Sequence, residues 1–411
     1  MKKFLILFLV TVLLAFSGCH NTEKITDESI LESVSETVTV ITPSLKASPT
    51  PEASKAPESG TAEETAPKEE FPESNYSFDP YDIIKNMSDE ELVGQLFLAR
   101  APELHFAPEK AAEYHLGGYI LFSNHTQYES PETLKTHIDN IQKNAEIPLL
   151  IAVDEEGGSV TRISRYSRYR SANFPSMRNL FSEGGKELII ETEKEKCVLL
   201  KNLGFNVNLA PVCDITTNKN AFMYYRSLGQ DAETTGEVIS GIVSLYKKEN
   251  FGAVLKHFPG YGNNTDTHLG VAEDDRSLNE LILSDLIPFM RAMKNGADAV
   301  MVSHTFVNSL DETLPASLSP KVISFLRQEM NFEGVIITDD LAMEAVTDLY
   351  GAEESAVLAI EAGADLLCST EFEIQYEAIL NALKEGRIKR ENLEKSAARV
   401  LIWKHKLGLI N

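Results

Sequence analysis

The sequence of residues 251–268 is FGAVLKHFPGYGNNTDTH. Its apolar start is typical of a buried strand, and that strand delivers Lys256 and His257 at its end. The chain then turns through one proline and two glycines and reaches an acid, Asp266, and an imidazole, His268. Packing alone does not account for a strand that ends in Lys and His and leads into a loop of this kind. The stretch predicts a buried strand followed by a functional loop.

The same alternation of strand and helix recurs throughout the region 76–411. Short apolar runs predict eight strands, at 94–98, 118–122, 148–154, 205–210, 251–256, 298–304, 334–339 and 364–368. Amphipathic segments predict helices, among them 188–203, 234–249, 281–295 and, after the last strand, 391–406. Repeated strand-then-helix units with near-continuous apolar strands predict a parallel sheet with helices outside it.

Eight such units in about 300 residues predict an α/β protein with a single (β/α)₈ TIM-like barrel. A doubly wound open sheet is the alternative. No Gly-x-Gly-x-x-Gly pattern or P-loop follows any of the predicted strands, which disfavours that alternative.

The N-terminal part of the chain differs in composition from the rest. Residues 1–18 combine two lysines with a long apolar run, which predicts a lipoprotein-type signal peptide. The small-residue site that closes the run resembles a bacterial lipobox, in which Cys19 would become the N-terminal residue and carry lipid. An ordinary secreted protein with an incidental Cys19 is the alternative.

Residues 19–75 are rich in Ser, Thr, Glu, Pro and Ala and contain hardly any aromatic residue. Such a segment cannot bury enough apolar surface to offset its ordering entropy, so it predicts a disordered tether. The chain is therefore interpreted as a signal peptide, a tether and a barrel at 76–411. These features together predict a lipoprotein anchored to the outer face of the bacterial cell membrane.

Charge and cysteine usage restrict the possible partners. The formal net charge of -24 argues against nucleic acid, whose phosphates demand basic patches, and is compatible with a neutral substrate such as a sugar. The cysteines are widely scattered and lack metal-ligand spacing, so no metal site or disulfide framework is predicted. Cys213 and Cys368 lie in or beside apolar runs and are expected to be buried.

Ionisable residues stand at the ends of four predicted strands: Asp154, Lys256, His257, His304 and Asp339. Functional groups of (β/α)₈ barrels gather at the carboxyl ends of the strands. Each residue alone could be a helix cap or a satisfied core group. Together they predict one functional site on one rim of the barrel.

Loops after the strands add further candidates. Arg162 follows paired glycines, and Arg226 stands beside two tyrosines; a planar guanidinium suits carboxylate or hydroxyl oxygens. Glu155 and Glu156 are expected to be solvated or capping residues. Strand alternation places Asp339 and Asp340 on opposite faces, so only one can point into the barrel mouth. The sequence does not decide which.

Several motifs, in this order along the chain, resemble glycoside hydrolase family 3, specifically the β-N-acetylglucosaminidases of the bacterial cell-wall recycling type. The motifs are VDEEGG at 153–158 with Arg162, LAPVCD at 209–214, YRS at 225–227, KHFPG at 256–260, DTH at 266–268 and ITDDL at 337–341. The chain differs from the family pattern at Tyr261, where His is usual, at Thr267, where Ser is usual, and at Glu155, where Gln is common.

The resemblance implies a role for each matching residue. Asp339 corresponds to the nucleophile, His268 to the general acid/base and Asp266 to its dyad partner. The residues that correspond to the binding site for the terminal N-acetylglucosamine are Asp154, Arg162, Arg226, Lys256 and His257. His304 is expected to line the same subsite.

The resemblance therefore implies an exo-acting, retaining β-N-acetylglucosaminidase that acts on cell-wall or chitin-type saccharides. It would need neither a metal nor an organic cofactor. The alternatives are a family 3 β-glucosidase or β-xylosidase, and a non-catalytic sugar-binding lipoprotein. The first generally takes its acid/base Glu from a second domain, and the second is disfavoured because Asp339, Asp266 and His268 are all present.

Overall fold

Parallel strands form the centre of the protein in a computed structural model that describes residues 78–264 and 270–411. The strands are β1 (Phe97–Arg100), β2 (Gly118–Leu121), β3 (Leu150–Val153), β4 (Val207–Asn208), β5 (Gly252–Phe258), β6 (Glu273–Asp274), β7 (Ala299–Val302), β8 (Phe306–Val307), β9 (Val335–Thr338) and β10 (Leu367–Ser369). The short strands β6 and β8 pair only with each other. The predicted signal peptide, the tether and Cys19 lie outside the described residues.

The helices surround the strands. They are α1 (Tyr81–Ile84), α2 (Asp89–Gly94), α3 (Ala107–Glu113), α4 (Ser123–Thr126), α5 (Pro131–Asn144), α6 (Met177–Leu203), α7 (Ala232–Lys248), α8 (Leu278–Leu283), α9 (Leu286–Lys294), α10 (Pro320–Ser324), α11 (Glu344–Ala362), α12 (Phe372–Lys384) and α13 (Arg390–Lys406). One 3₁₀ turn (Ala316–Leu318) and one π turn (Phe325–Glu329) flank α10. Within the described ranges, no helix combines the length and apolarity needed to cross a bilayer.

The other eight strands form a nearly closed barrel in the order β10-β1-β2-β3-β4-β5-β7-β9, with every pair parallel. The two end strands meet because Thr338 N donates to Leu366 O at 3.1 Å and Ile337 forms a bridge with Leu366. The predicted (β/α)₈ barrel is confirmed, and the open doubly wound sheet is excluded.

Strand alternation divides the core into two layers. The barrel interior is filled by side chains from all eight strands, including Leu98, Ile120, Leu150, Ala152, Val207, Val254, Met301, Ile337 and Cys368. The intervening residues, such as Ile151 and Ile336, pack outward against the helices. A residue that continues the inward series beyond the end of its strand therefore faces the barrel mouth.

Several sequence-based boundaries are wrong; the helix predicted at 188–203, for example, already begins at Met177. The first predicted strand, 94–98, starts too early because Gly94 ends α2, which begins with a capping box between Ser88 and Glu91. The predicted helix 281–295 is divided into α8 and α9 at Ser284 and Asp285. Cys213 and Cys368 are buried free thiols, as predicted.

The last helix, α13, contributes two buried side chains. Trp403 packs with the barrel interior and lies against Gly252, where an added Cβ would come within 2.9 Å of the indole. Lys404 is fully buried, and its Nζ donates to Gln95 Oε1 at 2.8 Å. It makes no ion pair with a carboxylate in the described part of the chain. Burial lowers the pKa of Lys404 to about 7.

Replacing Lys404 with methionine is expected to raise the free energy of unfolding at about pH 6, on the order of a few kcal/mol, and much less at about pH 10. The folded-state pKa of about 7 lies below the ordinary value of 10.5. Between these values the unfolded chain binds the proton more strongly, so stability rises with pH. The methionine variant lacks this contribution. Leaving Gln95 Oε1 without its donor offsets part of the gain.

Urea unfolding across this pH range measures the effect. Lys406→Met is the matched control, because Lys406 pairs with Asp298 at 2.6 Å on a partly exposed surface and should contribute under about 1 kcal/mol. An unchanged pH slope in Lys404→Met would contradict the interpretation.

Candidate active site

Three of the residues singled out in the sequence continue inward-facing series at the barrel mouth. Asp154 continues the series of β3, Lys256 that of β5 and Asp339 that of β9. Lys256 Nζ lies 2.7 Å from Asp154 Oδ1, so two of the three are in direct contact. Burial raises the pKa of the Cys368 thiol well above its usual value, and nearby Asp340, Asp339 and Asp154 raise it further. The predicted strand-end residues therefore converge around one point.

An ion network extends from this contact across the mouth. Lys256 Nζ also lies 2.7 Å from Glu156 Oε1, and Arg226 donates to both oxygens of Glu156 at 3.0 and 2.7 Å. Burial opposes the charge on Glu156, but Arg226 and Lys256 outweigh it and hold the carboxyl pKa far below its usual range. Burial likewise opposes the charge on Lys256, while Asp154 and Glu156 give it a net raised pKa. Glu156, Lys256 and Arg226 are therefore charged.

Glu155 and Glu156 are expected from the sequence to be solvated or capping residues; solvation is wrong because both are buried, and Glu155 does cap backbone groups. The Glu155 carboxylate accepts hydrogen bonds from the backbone N–H groups of Arg162, Ile163 and Ser164 at 2.8, 2.8 and 3.2 Å. It acts as an internal cap that shapes the loop carrying Arg162. The role of Glu156, by contrast, depends on Arg226, 70 residues along the chain, so its local sequence carried no signal.

His257 is held in one orientation by both ring nitrogens. Nδ1 lies 2.8 Å from Asp214 Oδ2, and Nε2 lies 3.2 Å from Arg226 Nη2. A guanidinium can only donate, so both contacts are hydrogen bonds when Nδ1 carries the proton and Nε2 accepts. His257 thereby joins the ion network to the segment that follows β4.

Asp214 is a residue that sequence reasoning did not assign to the site. Its fully buried carboxylate accepts from the His257 ring, from His257 N at 3.1 Å and from Tyr261 N at 2.7 Å. Tyr261 is also buried, and its ring meets that of His257 edge to face with centroids 5.2 Å apart. One carboxylate thus fixes the strand end and the first turn of the loop. The only sequence signal was its place at the end of the motif 209–214.

The rest of the loop stem depends on two glycines. Gly260 has φ 123°, and an added Cβ would lie 2.6 Å from Asp285 Oδ1. Gly262 has φ 56°, and an added Cβ would lie 2.6 Å from Arg276 Nη2. Beyond them, Asn263 Oδ1 accepts from Thr216 Oγ1 at 2.9 Å. These contacts therefore fix the loop stem as far as Asn263. The candidate dyad, Asp266 and His268, falls in 265–269, outside the described residues.

The paired aspartates after β9 have different surroundings. Asp340 Oδ1 accepts from Ala342 N and Thr370 N, both at 3.0 Å, and Oδ2 accepts from Thr370 Oγ1 at 2.5 Å. Asp340 therefore holds the turn after β9 and ties it to Thr370, next to β10, whereas α11 has no side-chain cap. Asp339 continues the inward series, and its Oδ1 accepts from Asp340 N at 2.9 Å. Asp339 is the aspartate that faces the mouth.

His304 points away from the barrel interior, opposite to the inward-facing series of β7, and its side chain is fully buried. Its Nδ1 lies 2.6 Å from Ser317 Oγ, and its Nε2 lies 3.0 Å from the carbonyl oxygen of Asp340. Its contact with a ligand stays a prediction. These bonds indicate instead that His304 supports the main chain next to Asp339.

The comparison with known families agrees with this geometry. The model of the glycosyl hydrolase family 3 N terminal domain matches residues 88–402. The chain belongs to glycosyl hydrolase family 3. The resemblance seen in the sequence motifs is thereby confirmed.

Curated relatives are similar to the chain over much of the barrel. A β-hexosaminidase from Hydrogenovibrio crunogenus is 34% identical over 260 residues, which cover 61% of this chain and 71% of that protein. β-Hexosaminidase LpqI from Mycobacterium tuberculosis is 27% identical over 337 residues, which cover 79% of this chain and 85% of that protein.

Solved family 3 structures match the fold closely. A β-N-acetylglucosaminidase from a Paenibacillus species superposes with a TM-score of 0.74 at 33% identity, covering 79% of this chain. The chain spans 63% of the length of that protein. The structure of M. tuberculosis LpqI gives a TM-score of 0.73 at 27% identity and is covered over 96% of its length.

Asp214→Asn is expected to loosen the loop stem without unfolding the barrel. The amide nitrogen would face the N–H groups that the carboxylate now accepts, which should lower the free energy of unfolding by about 1–3 kcal/mol. Amide hydrogen exchange at residues 257–261 should accelerate by about tenfold or more, as expected when a bond of this strength is lost. Exchange mass spectrometry of the intact chain measures the change.

The control is Asp231→Asn at the start of α7, where the carboxylate accepts from Thr234 N at 2.8 Å on the surface. It should accelerate exchange only around that helix end. Unchanged exchange at 257–261 in Asp214→Asn would show that Asp214 does not hold the stem.

Proposed function

We propose that this protein is an exo-acting, retaining β-N-acetylglucosaminidase that releases terminal N-acetylglucosamine from cell-wall or chitin-type saccharides. The observation that carries the proposal is the buried ion network of Asp154, Lys256, Glu156 and Arg226 beside Asp339 at the barrel mouth. The names of the relatives, β-hexosaminidase and β-N-acetylglucosaminidase, support it.

The network suits an uncharged sugar. It contains two carboxylates and two cations, so its charges balance. Lys256, Arg226 and Arg162 offer N–H donors, and Asp154 offers acceptors to hydroxyl groups. The side chains of the network hold one another in place before substrate arrives, so substrate binding costs little conformational entropy.

The proposed chemistry is a double displacement. The Asp339 carboxylate attacks the anomeric carbon as the bond to the leaving-group oxygen breaks, and a covalent glycosyl-enzyme forms. The hydrogen bond from Asp340 N to Asp339 Oδ1 orients this carboxylate. Water then cleaves the ester and restores Asp339.

The proton carrier in this proposal is His268, with Asp266 as its partner. His268 protonates the leaving oxygen and later takes a proton from the attacking water, while Asp266 stabilises the imidazolium. Their motif match supports these roles. The stem fixed by Asp214 and the two glycines starts the loop on which both residues stand.

We also propose that residues 1–18 are a lipoprotein signal peptide and that a lipid on Cys19 anchors the protein outside the cell membrane. Residues 19–75 would then tether the barrel of 76–411. The composition of both segments supports this arrangement. Mass spectrometry of the N-terminal peptide from the membrane fraction should find a lipid-modified Cys19. An unmodified N-terminal peptide in the secreted fraction would overturn the proposal.

The activity is tested with two aryl glycosides that differ only in the sugar. The full chain should hydrolyse the aryl β-N-acetylglucosaminide and turn over the aryl β-glucoside far more slowly. Preference for the glucoside would overturn the proposed specificity, and no activity on either would overturn the enzymatic proposal. The released sugar should initially be the β-anomer, as retention requires.

Variants assign the activity to the named groups. Asp339→Asn should lower kcat by several orders of magnitude, on the order of 10⁴-fold or more, because the nucleophile is lost. His268→Ala should reduce turnover of a chitooligosaccharide by about 10²–10⁴-fold, and reduce it far less with a good aryl leaving group. Asp348→Asn and His137→Ala, on the outer helices α11 and α5, should change neither. Equal losses on both substrates would contradict the role of His268 as acid.

A further inference from the structure

Three arginines cluster where β1, β2 and β3 end. Arg100 Cζ lies 4.7 Å from the centroid of the Phe122 ring, and Arg162 Cζ lies 5.9 Å from the same centroid. Arg165 Nη1 donates to Ser123 Oγ, the neighbour of Phe122, at 3.3 Å. We call Arg100, Arg162 and Arg165 the arginine rim.

The arginine rim lacks an acidic partner among the described residues. None of its three guanidinium groups pairs with a carboxylate in the described part of the chain. Elsewhere in that part arginines commonly form ion pairs, as Arg226 does with Glu156 and Arg387 with Glu354. The contrast is large because the chain carries 62 acidic and 38 basic residues. Three cations gathered around Phe122 and Ser123 without a carboxylate from the described residues create a local positive potential that favours an anion.

The surroundings keep the rim in place without neutralising it. The backbone N–H of Phe122 donates to His125 Nδ1 at 2.9 Å, which fixes the main chain at the residue whose ring two of the arginines share. His125 is buried, and burial together with the charge of Arg100 lowers its pKa to about 4. His125 is therefore neutral at pH 7 and acts as a support for Phe122.

The position of the rim relates it to the candidate active site. Arg100 follows Leu98 in the inward-facing series of β1, so its side chain starts at the barrel mouth. Arg162 belongs to the proposed sugar site, whereas Arg165 is exposed to solvent. The rim thus runs outward from the sugar site. In an exo-acting enzyme the terminal sugar fills the inner pocket, and the leaving group lies on the outer side.

We propose that the arginine rim binds a carboxylate carried by the leaving group, and that Arg100 is the residue that selects such substrates over neutral saccharides. This inference rests on the proposed function. A planar guanidinium matches a carboxylate with two parallel hydrogen bonds, and two guanidinium groups on one ring can approach the anion from different sides. The overall negative charge gives no reason to bind an anion; the rim is a local exception.

Two disaccharides with the same terminal N-acetylglucosamine test the inference. The second sugar of each carries a 3-O-lactyl ether, as the free acid in one and as the methyl ester in the other. The full chain should show a higher kcat/KM for the acid, and the preference should fall at high salt. Arg100→Gln should reduce the ratio of the two kcat/KM values by about tenfold, as expected for loss of a charge-assisted hydrogen bond. Arg165→Gln should reduce it less.

A third disaccharide, in which the lactyl group is extended by one amino acid, distinguishes a sugar-borne from a peptide-borne carboxylate. The control is Arg387→Gln, on the outer surface, which should leave the ratio unchanged. Equal kcat/KM for acid and ester in the unsubstituted chain would overturn the inference. An unchanged ratio in Arg100→Gln would overturn the assignment of Arg100.

Binding measurements separate this inference from the proposed function. In Asp339→Asn, which does not turn over, calorimetry should find tighter binding of the acid than of the ester, and Arg100→Gln should remove the difference. A difference in binding without turnover in any variant would support the rim and contradict the proposed reaction. Equal binding of acid and ester would overturn the rim even if the enzyme is active.

Discussion

The ammonium group of Lys256, buried between two carboxylates, is the interaction on which the barrel mouth depends. A lone cation at this depth would lose its hydration without compensation. Asp154 and Glu156 supply opposite charge at 2.7 Å each, and Arg226 balances the second of them. Asp154 and Glu156 follow β3, Arg226 stands in the loop after β4, and Lys256 lies on β5. A shift of any one of these strand ends would therefore leave a buried charge unpaired.

The same mutual dependence continues through His257 to Asp214. Asp214 accepts hydrogen bonds both from the strand end and from the turn that follows it. The position of the proposed sugar site is therefore coupled to the position from which the loop departs. Tyr261 fills the space above His257 with a buried ring, so the departure from the family pattern at this position is well packed.

The fold could be read from the sequence because it depends on local patterns that repeat. Eight apolar runs were enough, and the ends of the third, fifth and seventh runs marked Asp154, Lys256 and Asp339. The roles of Glu156 and Asp214 could not be predicted, since each depends on partners across neighbouring strands, 70 residues away for Glu156 and Arg226. Strand alternation showed that the side chains of Asp339 and Asp340 point to opposite faces. Choosing between them required knowing which face of β9 points inward. The break at Ser284 reflects tertiary contacts of Asp285 with Arg276.

The packing of Trp403 in the barrel interior restricts the route by which substrate and products enter and leave. With the indole and the apolar side chains packed inside, the described part of the barrel is a closed-ended cup rather than a tunnel. Substrate and both products then enter and leave through the same opening, the barrel mouth. In the proposed reaction the leaving group lies on the solvent side of the terminal sugar, so it departs first, water takes its place, and the sugar leaves last. A polymer cannot pass through a filled barrel, so any longer saccharide has to enter and leave on the side where the strands end.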